Sequence, residues 1–134
     1  MGFMTLVLVL IVVQYLSFGM KVGAAREKYE IKAPAITGHP EFERYYRVHQ
    51  NTLENLIIFI PLYLVFALMA ENQGWMGYET ASVVGVFWLT GRFVYAKSYV
   101  KDPASRGKGF IISFLATVAL LLGTLLLSVM SMIS

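Results

Sequence analysis

All eleven lysines and arginines of this chain fall in two windows, Lys21–Arg47 and Arg92–Lys108, and residues 1–20, 48–91 and 109–134 carry none. A soluble domain spreads its charge round its surface. A chain that gathers its cations into two connections between long apolar runs is built to cross a bilayer, with those connections on one side. Composition agrees, since only 14% of the 134 residues are charged and 57% are hydrophobic, against about 25% charged in an ordinary globular domain. By the positive-inside rule both basic windows face the cytoplasm, and both chain ends face the opposite side together with the Glu71–Glu79 connection. The number of spans is then even.

The pattern predicts an all-α integral membrane protein, a single domain over residues 1–134 with four transmembrane helices at about 2–25, 42–71, 79–99 and 109–132. Gly2–Met20 is uncharged and long enough for a hydrocarbon core of roughly 30 Å. No basic segment precedes it, so it is expected to be a span rather than a cleaved signal peptide. Gln14 within it is expected to hydrogen-bond a neighbouring helix. Ala33–Pro40 reads as an ordered turn, and Pro40 with Glu41 and Glu43 as a helix start. Leu56–Ala70, the apolar part of span 2, covers only roughly 22 Å, so the polar stretch before it must lie partly below the headgroups. Pro61 removes a hydrogen bond to Ile57 and should bend this helix. Trp75 and Tyr78 suit an interfacial aromatic belt. In span 4, Ala119 and Gly123 form a small-residue pair suited to close helix contact.

The chemistry gathers at Glu43–Asn55. At 100° per residue, Arg44, Arg47, Asn51, Glu54 and Asn55 share an arc of about 100°, while His49 points elsewhere. On span 3, Arg92, Tyr95 and Tyr99 share a face at spacings of 3 and 4, and Arg106 stands close to the start of span 4. Arg44, Arg47, Arg92 and Arg106 are expected to converge on a single carboxylate, Glu54, leaving surplus positive charge that suits a small polyanion and above all a thiolate. The plainer alternatives are a structural Arg47–Glu54 ion pair and an interfacial pair of tyrosines. With no cysteine and two histidines, no metal site is expected, and any thiol must come with a ligand. No nucleic-acid partner is expected.

The run T-G-x-P-E-F-E-R-x-x-R-x-x-x-N-x-x-E at Thr37–Glu54, with Arg92-x-x-Tyr95-x-x-x-Tyr99 and Arg106 downstream, resembles the membrane-associated proteins of eicosanoid and glutathione metabolism. The likeness extends from Gln14 to Phe110 and is nearest to the branch of microsomal glutathione transferases and leukotriene-C synthases. It implies a homotrimer of four-helix subunits with glutathione between neighbours, in the cytoplasmic half of the membrane. By the same resemblance Arg47, Asn51, Glu54, Tyr95 and Tyr99 contact glutathione, joined by Gln50 and Arg26, with Arg44 and Arg92 behind them. Arg106 is implied as the catalytic residue that stabilises the glutathione thiolate. Glu27 stands where leukotriene-C synthases carry a second arginine, which argues against their epoxide reaction, and Gln50 stands where prostaglandin E synthases have arginine. The expected activity is conjugation of glutathione, as co-substrate, to a lipophilic electrophile arriving from membrane lipid, with reduction of lipid hydroperoxides alongside. The alternatives are a non-catalytic lipid- or glutathione-binding protein of the same fold, and a small exporter or channel.

Overall fold

A computed structural model of the chain describes residues 1–133. Secondary structure there is entirely helical, in the order α1 (Gly2–Lys28), α2 (Pro40–Asn72), α3 (Gly77–Lys101), a 3₁₀ turn (Pro103–Arg106) and α4 (Gly107–Ile133). Helix α2 opens where Pro and two acids predict. His39 Nδ1 accepts the Glu41 N–H at 3.2 Å, Pro40 occupies the first turn with Glu41 and Glu43, and Glu43 Oε1 accepts the Gly38 N–H at 3.1 Å. The 33 residues of α2 extend roughly 50 Å, well beyond a hydrocarbon core of about 30 Å. Helix continues through Pro61. Glu71 Oε2 accepts the Tyr78 N–H at 3.3 Å, which ties the end of α2 to the start of α3.

Successive helices run antiparallel. The Tyr63 hydroxyl donates to the Met4 carbonyl at 2.9 Å while His49 stacks on Tyr15 with ring centroids 4.6 Å apart, so α1 and α2 pass in opposite directions. The core is aromatic where α1, α2 and α3 meet. Phe59 and Trp88, both 0% exposed, stack at 4.7 Å. Gln14 Nε2 donates to the Leu89 carbonyl at 3.0 Å, the interhelical bond expected of it.

Helix α3 touches α1, α2, α4 and the 3₁₀ turn. It is also the helix that departs from the sequence expectation. By length and apolarity α1, α2 and the Pro103–Ile133 segment qualify as membrane spans. Helix α3 is long enough at 25 residues but carries Glu79, Arg92, Lys97 and Lys101 together with small polar residues. Its buried face includes Ser82, Gly85, Gly91 and Arg92, residues that suit contact with neighbouring helices, while Val83, Val86, Phe87 and Phe93 form an exposed apolar face.

Of the pair expected to bring α4 close to a neighbour, Gly123 does so and Ala119 does not. Ala119 is exposed, and Gly123 abuts the Phe66 ring. The tight crossing is made by Gly91 and Gly109: a β-carbon on Gly91 would stand 2.6 Å from the Ser113 nitrogen, and one on Gly109 would overlap the Tyr95 backbone. Gly109 and Ser113, both buried, are the small-xxx-small pair that lets these backbones approach.

Candidate functional site

Helix α2 delivers Arg47, Asn51 and Glu54 to one side of the bundle, and α3 delivers Arg92, Tyr95 and Tyr99 to meet them. At the centre is Arg92, whose side chain is 0% exposed. Its Nη2 donates to Asn51 Oδ1 at 2.9 Å and to Thr52 Oγ1 at 2.8 Å, and its guanidinium lies 4.2 Å from the centre of the Tyr95 ring. Tyr95 in turn stacks on Tyr99 with centroids 5.6 Å apart. Asn55 Nδ2 donates to the Asn51 carbonyl at 2.8 Å, so Asn51 is held from two directions.

Arg92 has no carboxylate. The ion pairs among the described residues are Lys28–Glu41 at 3.5 Å and Arg47–Glu54 at 3.9 Å, and Arg92 Nε and Nη1 are buried without a hydrogen-bond partner. An arginine keeps its proton under these conditions, and a buried cation without an anion is costly unless something else balances it. Positive charge is therefore concentrated beside the Asn51 and Tyr95 polar groups.

The connection that carries Arg106 is well braced. Asp102 Oδ1 accepts the Ala104 N–H at 3.1 Å, and the Ser105 hydroxyl donates to the Asp102 and Ser98 carbonyls at 2.7 and 3.1 Å. Arg106 closes the 3₁₀ turn three residues before Gly109, whose Cα rests on the Tyr95 backbone. The side chain of Arg106 is exposed.

Three of the expected site residues are placed differently. Arg44 does not join the cluster. Its Nη1 donates to the Val100 and Lys101 carbonyls at 3.1 Å each, so the negative end of α3 accounts for its charge. Arg26 lies over the Phe42 ring at 4.7 Å and donates to the Ala35 carbonyl at 2.6 Å, which ties α1 to the turn before α2 rather than to Asn51 or Tyr95. Gln50 is half-buried at the edge of the α2 face. Arg47 and Glu54, with side chains 54% and 51% exposed, stand on the outside of the single subunit rather than in a closed cavity. Thr52 escaped notice in the sequence although it receives a bond from Arg92. It follows Asn51 by 100° of helix turn, toward the core, and only the identity of the buried partner reveals the role.

The sequence matches the MAPEG family over residues 4–126. It is 38% identical over 105 residues to microsomal glutathione S-transferase 2 of Homo sapiens, covering 78% of this chain and 66% of that protein. It is 30% identical over 89 residues to leukotriene C4 synthase of Bos taurus, covering 66% and 55% respectively. An uncharacterised protein of Synechocystis is 38% identical over 112 residues, 84% of this chain and 77% of its own. The chain thus spans about two thirds or less of these two named enzymes.

Proposed function

Because the chain belongs to the MAPEG family and is an integral membrane protein with helices apolar enough to cross the bilayer, we propose that it conjugates the thiolate of glutathione to lipophilic electrophiles and also reduces lipid hydroperoxides. The observation that carries this reading is the buried guanidinium of Arg92, joined to Asn51 and Tyr95 with no carboxylate to balance it. A tripeptide with two carboxylates and an ionisable thiol supplies the missing negative charge. Relatives named glutathione S-transferase and leukotriene C4 synthase support the same class of ligand.

In this reading Arg47, Asn51, Glu54, Tyr95 and Tyr99 bind the peptide, and Arg106 faces its sulfur. A guanidinium beside the thiol lowers its pKa and leaves the thiolate as the nucleophile. The sulfur attacks the electrophilic carbon, a carbon–sulfur bond forms, and the leaving group departs with the electron pair. All four helices span the membrane, α3 with its polar face packed on the other three and its Val83, Phe87 and Phe93 face toward lipid, with the basic connections and the site on the cytoplasmic side. The exposed side chains of Arg47, Glu54 and Arg106 are closed over by a neighbouring copy in a homotrimer, which brings that copy's Arg26 and Gln50 to the peptide.

Ultraviolet difference spectra on adding glutathione to the purified protein test this directly. Thiolate absorbance should appear with the wild type and be lost in Arg106→Ala. That variant should lose turnover by at least about a hundredfold, in line with removal of one group that stabilises a developing anion, while glutathione affinity changes much less. Near wild-type turnover in Arg106→Ala, or no thiolate signal with the wild type, defeats the assignment.

A further inference from the structure

A groove runs along the seam of α1 and α3, with Tyr45 and Val48 of α2 joining its wall at one end. One cleft of about 320 Å³ is lined by Phe18, Lys21, Phe93 and Lys97 among others. A second of about 410 Å³ is lined by Leu10, Gln14 and again Phe93. Phe93 lines both, so the two clefts adjoin at its ring as successive parts of one channel along the seam.

The channel has a polar end and an apolar end. Lys21 and Lys97 stand at one end, with Lys21 Nζ 5.9 Å above the Phe18 ring. Neither has a carboxylate within salt-bridge distance among the described residues. Glu41, in the adjoining cleft, is already engaged by Lys28 at 3.5 Å and by the Tyr29 hydroxyl. Below the lysines the amide N–H of Gln14 is committed to Leu89, and the remaining lining is largely hydrocarbon. From Lys21 to Leu10 along α1 is roughly 16 Å, about half of a hydrocarbon core of roughly 30 Å and so the depth of one leaflet.

We propose that this groove holds one acyl chain of an anionic phospholipid, drawn from the leaflet nearest the 29–39 and 102–106 connections, with the headgroup phosphate against Lys21 and Lys97. Paired lysines between membrane helices, above a chain-length apolar slot, match an anionic headgroup in charge and its tail in length. The cleft backs onto the glutathione site, because Phe18, Val48 and Ala96 in its wall pack with Tyr95 and Tyr99. Phe93 and Lys97 nevertheless face away from Arg92 on the helical wheel, Lys21 stands on α1, and the variants below touch none of the glutathione residues. Either reading can fail without the other.

Native mass spectrometry of the purified full-length protein, titrated with dioleoylphosphatidylglycerol or dioleoylphosphatidylcholine, reads the binding. Wild type should retain the anionic lipid in preference to the zwitterionic one. A Lys21→Gln/Lys97→Gln double variant should reduce that preference by about thirtyfold, roughly fivefold for each lysine. Lys101→Gln/Lys108→Gln, which removes two cations outside the groove lining, should leave it intact. Thr90→Trp, which fills the apolar channel from an exposed position, should weaken retention of both lipids. Soluble glycerophosphate should not displace the lipid, because it lacks the chain. Equal retention of the two lipids by wild type, an undiminished preference in the double variant, or displacement by glycerophosphate overturns the proposal.

Discussion

Replacing Arg92 by methionine separates the two roles a buried cation can have. The substitution deletes two charge-assisted hydrogen bonds, to Asn51 Oδ1 at 2.9 Å and Thr52 Oγ1 at 2.8 Å. What it strands is limited. Thr52 still donates to the Val48 carbonyl at 2.7 Å, and Asn51 Oδ1 keeps a weak bond from Asn55 Nδ2 at 3.4 Å, so the residual cost is about 1–3 kcal/mol. Against it stands relief from holding an unbalanced charge out of water, a penalty of several kcal/mol that an apolar side chain of similar volume does not carry. The two nearly cancel, and the folded protein should unfold within about 2 kcal/mol of wild type. Binding does not cancel. An anion hydrogen-bonded to the Asn51 amide would lie roughly 8 Å from the guanidinium, where Coulomb's law at an effective dielectric of about 20 gives about 2 kcal/mol. Glutathione affinity should therefore fall by about thirtyfold, and more if Asn51 turns away. Arg92→Lys keeps the charge and should recover part of it. Isothermal titration with glutathione, alongside thermal unfolding in the same detergent, measures both quantities. Unchanged affinity in Arg92→Met, or affinity lost only in step with stability, refutes the reasoning.

Other substitutions distinguish scaffold from site. Gly91→Val places a side chain against the Ser113 backbone and should lower stability by about 1–3 kcal/mol, seen as a lower thermal midpoint with and without glutathione. Arg44→Met removes the bonds to the Val100 and Lys101 carbonyls. It should cost about 1–3 kcal/mol of stability while glutathione affinity, measured on the folded fraction, changes little. The exposed Arg47–Glu54 pair at 3.9 Å should contribute less than about 1 kcal/mol to stability. Glu54→Gln should thus leave the thermal midpoint almost unmoved and still weaken glutathione binding in titration; wild-type affinity in this variant would remove Glu54 from the site.

The helices were legible because hydropathy and charge mark them independently. The gaps between apolar runs coincide with Pro40, with Glu71–Gly77 and with Asp102–Pro103, and the helix ends fall within a few residues of those points. The shared face of Arg92, Tyr95 and Tyr99 followed from helical spacing. Depth did not follow. Arg92 and Arg106 look equally basic in a string of letters, yet one is sealed in the core and the other stands at the surface. Arg44 and Arg47 are neighbours on the helical wheel, but α3 ends exactly where Arg44 can reach its last carbonyls. Similarly, Gly109 outranks Gly123 as a contact because of the helix facing it, and a single segment's pattern carries no information about its partner.

The central position of α3 bears on how the polypeptide enters the bilayer in the first place. A segment with an arginine near its middle partitions poorly into lipid by itself, at about 2.5–3.5 kcal/mol for that one residue, while its companions on either side in the sequence insert readily. With all four helices spanning, as proposed above, residence of α3 in the membrane is a collective property, secured when α1 and α2 have already arrived and completed when α4 closes over Gly91. Chains stopped short after Lys101 should remain vulnerable to extraction and degradation, because the surface that shelters the third helix has not yet been synthesised.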